Sequence, residues 1–257
     1  SGPADTVPRL RIATELRGRY LDVLMLPFSF REYLVFHSVP VDAVTVHTPS
    51  RGRILKAFES YLQEGGFPEV VANIDPIIKR QLLQTYYGTI FYKDILERYA
   101  VKARSTLDRM MSYALDSYAG LFSVSAFEKM LKSAGLSGSK RTIANYLHYL
   151  EEAFFLVLVE KFSYSPRTRA MNPRKAYLVD PGFAGLGVPF SENRGRLLEN
   201  MVAVELYRRK QEIFYHKDRQ ECDFILKSGM KPVLAVQVCW ELTPQNEARE
   251  LKGLLEA

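Results

Sequence analysis

The run Gly195-Arg196-Leu197-Leu198-Glu199-Asn200-Met201-Val202-Ala203-Val204-Glu205-Leu206, followed by Glu221-Cys222-Asp223-Phe224-Ile225-Leu226 and Ala235-Val236-Gln237-Val238-Cys239-Trp240, decides how the chain reads. Apolar residues at 197, 198, 201, 202, 204 and 206 predict a mostly buried helix. The two later pieces read as short strands, with the turn Lys227-Ser228-Gly229-Met230 between them. Strand alternation puts Glu221, Asp223 and Ile225 on one face and Cys222, Phe224 and Leu226 on the other. Gln237 and Cys239 share a face of their own strand. If Asp223 meets Gln237 across this hairpin, Glu199 can complete an oxygen cluster from the helix. Oxygen donors of this kind suit Mg²⁺ or Mn²⁺.

The arrangement resembles the PD-(D/E)XK nuclease superfamily, whose pattern is a helix acid, a strand Asp, and then Glu or Gln, any residue and Lys on the next strand. The resemblance implies Glu199, Asp223 and Gln237 at the metal positions, with Glu199 and Asp223 as the carboxylate ligands. It puts Cys239 at the lysine position. A thiol offers no fixed positive charge to hold an attacking water or to offset charge developing on a phosphate. Lys227 shares Asp223's face, but four residues along a strand is roughly 13 Å. The expectation is therefore a degenerate site at Glu199, Asp223, Gln237 and Cys239 on a retained scaffold. A metal-dependent nuclease is the alternative.

Composition bounds these readings. A chain of 257 residues allows one to three domains, and 47% apolar with 25% charged residues is ordinary for a soluble globular protein. No apolar run approaches the roughly 20 residues that cross a bilayer, so no membrane partner is expected. The start, Ser1-Gly2-Pro3, has no signal-peptide pattern and no initiator Met, which suggests a processed or engineered beginning. Cys222 and Cys239 have no metal spacing and point to opposite faces, so no disulfide is expected and a reducing cytoplasm fits. A net charge of +6 permits a nucleic-acid partner without demanding one. The helix beginning near Asn246 is expected to be cut short at Ala257.

Upstream, Leu107, Met110, Met111, Ala114, Leu115 and Tyr118 mark one helix. Ser125-Ala126-Phe127-Glu128 reads as a capping box opening a second helix, which Gly135 closes. Ser139 caps a third, with Ile143, Tyr146, Leu147 and Leu150 as its buried stripe. A strand over 154–162 follows. This order matches a winged helix-turn-helix. The third helix would present Arg141, Asn145 and His148 outward, with Lys140 at its start; Lys161, Arg167 and Arg169 fall in or near the wing. Between residues 102 and 169, ten Lys and Arg stand against six acids, which favours contact with duplex DNA over the alternative use of such a unit for protein contacts.

The N-terminal part reads Leu16-Arg17-Gly18-Arg19-Tyr20 and then Leu24-Met25-Leu26-Pro27-Phe28-Ser29-Phe30-Arg31-Glu32-Tyr33-Leu34. It predicts a helix ending at Gly18, a strand to Leu26 and a new helix capped by Ser29. An amphipathic helix over 51–64 stops at Gly65, and an aromatic-rich helix runs over 76–99. Asp180 reads as a turn former after a strand over 175–179. Together with Gly65-Gly66-Phe67-Pro68-Glu69 and Lys93-Asp94-Ile95-Leu96-Glu97-Arg98-Tyr99, these phrases resemble the C-terminal portion of archaeal and bacterial AAA+ superfamily ATPases that carry a C-terminal domain of unknown function.

That resemblance implies a mixed α and β chain: the tail of an ATPase core over 1–50, a helical lid-like segment over 51–101, a winged helix-turn-helix over 102–170 and a nuclease-like αβ domain over 171–257. It implies ATP and Mg²⁺ for a longer parent, a homo-oligomer formed through that ATPase, and Arg17 or Arg19 near a subunit interface. No Gly-x-x-x-x-Gly-Lys-Ser/Thr sequence occurs here, so no ATP site is expected in this chain. The function expected is a nucleic-acid-binding module with an inactive nuclease-like domain; a nuclease and a protein-interaction adaptor remain as alternatives.

Overall fold

A computed structural model describes residues 23–40, 51–188 and 193–257. Arg17, Arg19, the helix expected to end at Gly18 and most of the following strand lie outside the described residues. Residues 23–26 form no strand. Ser29 caps α1 (Phe30–Phe36) with both halves of a capping box, to and from Glu32. Next come α2 (Arg51–Glu64), α3 (Pro68–Ala72) and α4 (Pro76–Thr89), the last capped by Asp75 and opened by proline. The single helix expected over 76–99 instead changes pitch at Ile90. Residues Ile90–Glu97 are π-helical, which brings Phe91 and Ile95 to the core side together.

The middle of the chain runs α5 (Arg104–Ser117), β1 (Gly120–Phe122), α6 (Val124–Ser133), α7 (Lys140–Glu152), β2 (Leu156–Lys161), α8 (Pro166–Met171) and β3 (Arg174–Leu178). Ser139 caps α7 as expected, through Thr142 N–H. The capping box expected at Ser125 is displaced: Ser123 is the cap and accepts from Ala126 N–H, because Val124 and Ser125 already belong to the first turn. The segment between β2 and β3, expected to be a plain wing, holds the short helix α8.

After a 3₁₀ turn (Pro181–Leu186) come α9 (Arg194–Arg208), β4 (Glu212–Lys217), β5 (Glu221–Ser228), β6 (Lys231–Val236) and α10 (Glu247–Glu256). β4 was not foreseen. The last strand ends at Val236, so Gln237 and Cys239 lie beyond it rather than within it. Gly229 takes φ +61° in the β5–β6 turn, where the chain reverses.

All six strands belong to one sheet, in the order β1-β3-β2-β4-β5-β6. The pairings are antiparallel except β2–β4, which joins the two halves through Glu160↔Phe214 and Lys161↔Tyr215. β3 pairs with both β1 and β2, so the strand on the far side of the 170/171 boundary completes the sheet begun before it. One face of the sheet packs Val157, Val159, Tyr177, Phe224 and Leu226 against Ala203 of α9. A larger core, from Val70 to Phe183, lies among α4–α7 and the other face.

The helical N-terminal segment is clamped onto this body at Asp180. Its carboxylate accepts from Gly66 N–H at 2.7 Å and Gly182 N–H at 2.9 Å. A side chain at Gly65, which sits at φ +77°, would collide with that carboxylate, and one at Gly66 would strike the Phe28 carbonyl. Phe28 N–H donates to the Gly66 carbonyl, Tyr61 Oη–H to the Phe28 carbonyl, and the Arg208 guanidinium to the Pro27 carbonyl. No helix of the described residues is long and apolar enough to cross a membrane.

Candidate functional site

β3 alternates Lys175 and Tyr177 toward α9, with Ala176 and Leu178 on the other face. Lys175 is 2% exposed. Its ammonium lies 2.9 Å from Glu199 Oε1 on α9, 3.0 Å from Asp223 Oδ1 and 2.7 Å from Glu221 Oε1, both on β5. β2 and β4 separate β3 from β5 in the sheet, yet the long lysine stem spans them across one face. Tyr177 Oη–H donates to the same Glu199 oxygen at 2.8 Å. Asn200, the next residue on α9, fixes the helix to β3 by two hydrogen bonds to Leu178, accepting from its N–H and donating to its carbonyl, both at 2.8 Å.

The electrostatics follow from this geometry. Burial disfavours the charged form of Lys175, but Glu199, Asp223 and Glu221 outweigh it and hold its pKa well above the usual lysine range. Burial raises the Glu199 pKa against the pull of Lys175. For Glu221 burial is overcome by Lys175 and Lys217, and its pKa falls. Burial and then Glu199 push the Tyr177 hydroxyl far up, so it serves as a donor.

Asp223 and Gln237 do meet, but through the backbone. Gln237 Oε1 accepts from Asp223 N–H at 3.2 Å, and Gln237 Nε2 donates to Glu250 of α10 at 2.6 Å. Asp223 Oδ2 accepts from Val238 N–H at 3.0 Å. Cys239 stands apart, its thiol bonded to the Glu241 carbonyl at 3.0 Å. Lys227 pairs with Glu212 and is not at the site. The cation beside Glu199, Glu221 and Asp223 is Lys175 of β3, and position 239 supplies none. Sequence reading missed Lys175 and Glu250; the only signal for Lys175 was a charged residue opening an apolar strand.

Glu199, Glu221, Asp223, Gln237 and Glu250 line a cleft of about 480 Å³ together with Arg196, Lys217, Arg219 and Arg249. Each Asp223 oxygen already holds a donor, one Glu199 oxygen holds two, and Glu221 is shared between Lys175 and Lys217. Among the described residues no three His, Cys, Asp or Glu are grouped to hold a metal ion. The donor set as arranged does not fit Mg²⁺ or Mn²⁺, because an ammonium stands between the carboxylates.

The second candidate surface is the free face of α7. Lys140, Arg141, Asn145 and His148 are all exposed. His148 lies 3.6 Å from Glu152, whereas Lys140 and Arg141 have no ion-pair partner among the described residues. Arg167 on α8 is likewise exposed and unpaired. Arg169 is held by the Ser163 carbonyl at 2.7 Å and lies near Glu160, and Lys161 pairs with Asp218 at 2.7 Å. Of the seven expected nucleic-acid contacts, these last two are engaged within the fold.

Comparison with known proteins identifies the class to which this architecture belongs. The model of the Domain of unknown function (DUF8612) matches residues 55–192, more than half of the chain. The chain belongs to that family. An uncharacterized protein of Methanocaldococcus jannaschii, MJ1544, is 32% identical over 262 residues, covering 100% of this chain and 58% of its own length. An uncharacterized protein of Haemophilus influenzae is 31% identical over 238 residues, covering 91% of this chain and 56% of its own. The chain therefore spans a little over half the length of the curated relatives it matches. No solved structure matches it.

Proposed function

We propose that the chain is a nucleic-acid-binding module of a longer protein, gripping duplex DNA through α7 and the segment between β2 and β3. The observation that carries this reading is the exposed face of α7, where Lys140 and Arg141 stand without carboxylate partners beside Asn145 and His148. The element order supports it: helix, strand, two helices and a strand pair with β1-β3-β2 adjacency is the order of a winged helix-turn-helix. This chain covers 58% and 56% of the relatives' lengths, which agrees with a further segment, for which the AAA+ resemblance suggests an ATPase.

The test is duplex binding by fluorescence anisotropy across a salt series. Affinity should fall steeply with salt, and Arg141→Ala with Arg167→Ala should weaken binding and reduce the slope by about 0.9 for each lost phosphate contact. Unchanged binding in that double variant, or no binding at low salt, refutes the reading.

A second reading, a metal-dependent nuclease, has an ammonium near its carboxylates in Lys175, but needs that ammonium to withdraw from between Glu199 and Asp223 before a metal ion can sit there. Mn²⁺-dependent cutting of DNA that Asp223→Ala abolishes would establish it in place of the non-cutting reading.

A further inference from the structure

The strand directions bring the β2–β3 segment and the β4–β5 turn to one end of the sheet. β2 ends at Lys161, where the segment with α8 begins; β3 starts from that segment at Arg174. β4 runs parallel to β2 and ends at Lys217, so its turn, Asp218-Arg219-Gln220, lies at the same end. β5 starts there with Glu221. The two regions are in contact rather than merely aligned. Lys161 bonds Asp218 at 2.7 Å, Phe162 N–H donates to the Tyr215 carbonyl at 2.7 Å, and Tyr215 Oη–H donates to the Pro173 carbonyl at 2.6 Å. Phe162 packs edge-on against Phe214, with ring centroids 5.9 Å apart. The far side of this junction is the cleft, whose rim carries Lys217 and Arg219.

At this end of the molecule Tyr164, Arg167, Lys217 and Arg219 are exposed. The Arg167 and Arg219 guanidiniums have no ion-pair partner among the described residues, and the Arg219 backbone N–H donates to Glu256 Oε1 at 2.9 Å. The carboxylates below them do not repel a polyanion in full, because Lys175 and Lys217 are paired with them. We infer that a duplex gripped by α7 continues past α8 and lays its backbone across the cleft rim, with a phosphate on Arg219. The inference rests on the binding reading above and extends it: the ligand is a duplex longer than α7 and α8 alone can cover, and the β4–β5 turn is its second anchor.

α7 has 13 residues and is about 20 Å long, so α7 and α8 together cover only a short duplex. The experiment compares wild type, Arg219→Ala and Arg219→Lys on duplexes of about 12 and about 30 base pairs, by anisotropy across a salt series. For the long duplex, Arg219→Ala should lower affinity and reduce the salt slope by about 0.9, the value of one phosphate, while Arg219→Lys restores most of both. For the short duplex, Arg219→Ala should match wild type. Equal behaviour of Arg219→Ala and wild type on both duplexes overturns the inference and leaves the binding reading standing. An equal loss on both lengths also overturns it, because the turn would then belong to the first grip. Failure of wild type to bind either duplex overturns the binding reading and the inference with it.

Discussion

Replacing Lys175 by Met keeps the stem and removes the ammonium. Glu199 and Asp223 have side chains 13% and 8% exposed and would lose the cation they share, whereas Glu221, 36% exposed, keeps Lys217 at 2.8 Å. Removing one partner of a buried ion pair typically costs about 3–5 kcal/mol, because the other partner stays buried and uncompensated. Two such carboxylates remain here, so the loss should reach the upper part of that range at neutral pH. The sign with pH follows. Burial raises the Glu199 carboxyl, and without the opposing pull of Lys175 its folded pKa lies further above the unfolded one, so the folded state binds more protons and loses stability as pH rises. In wild type the Lys175 contribution is complete below the unfolded lysine value and is constant between pH 5 and 8. The gap between wild type and Lys175→Met, measured by urea denaturation, should therefore be smaller at pH 5 than at pH 8. Lys175→Met with Asp223→Asn should recover part of it. A loss under about 1 kcal/mol at pH 8, or a gap that grows toward acid, would show that the cluster does not hold the sheet and α9 together in this way.

Three further outcomes are expected. Burial pushes the Asp180 carboxyl up to about 7 against the amides of Gly66 and Gly182; a folded pKa above the unfolded one gives stability below about pH 4 that drains as pH rises through 7, so the urea-midpoint difference between wild type and Asp180→Asn should shrink from pH 4.5 to 7.5, and a flat difference refutes this. Gly65→Ala, at φ +77° and facing the Asp180 carboxylate, should cost more than about 1 kcal/mol by the same assay, whereas Gly88→Ala, with open space around it, should be neutral or stabilising. Ser123→Ala should cost about 1 kcal/mol as loss of the α6 cap, while Ser125→Ala should stay within about 0.5 kcal/mol; the reverse order would restore the capping box as read from sequence.

Much of the helical architecture was legible because its signals are local. Ser29, Asp75 and Ser139 each accept from their own helix's first turn, and Gly65 ends α2 where a left-handed residue is required. The strands were harder. β4, Glu212–Lys217, mixes charged and apolar residues inside the sheet and gives no clean alternation. The slip of β6 from 235–240 to 231–236 has a similar cause: Lys231-Pro232 reads as a loop, and its outward side chains stay exposed in an edge strand. At the site, Glu199 and Asp223 could be brought together from periodicity alone, because helix and hairpin adjoin in sequence. Lys175 could not. It reaches Asp223 across 48 positions of chain and two intervening strands, through a side chain whose direction no local pattern encodes. The Asp180 clamp, joining residues 114 positions apart, was invisible for the same reason.

β2 lies inside the sheet, with β3 on one side and β4 on the other, and both partners come later in the chain than α7. A ribosome that has released residues up to Asn172 has delivered α5, α6, α7 and β2, yet β2 has no neighbour on either side. Local helix contacts can form at that stage, but the strand's amide and carbonyl groups wait for β3, and its second edge waits for about 40 residues more. Through that interval the nascent chain carries Leu156-Val157-Leu158-Val159 as an open apolar strand, the kind of segment that pairs with another copy when synthesis is slow or crowded. The seam at Glu160↔Phe214 and Lys161↔Tyr215 is thus also the step that closes the second edge of β2.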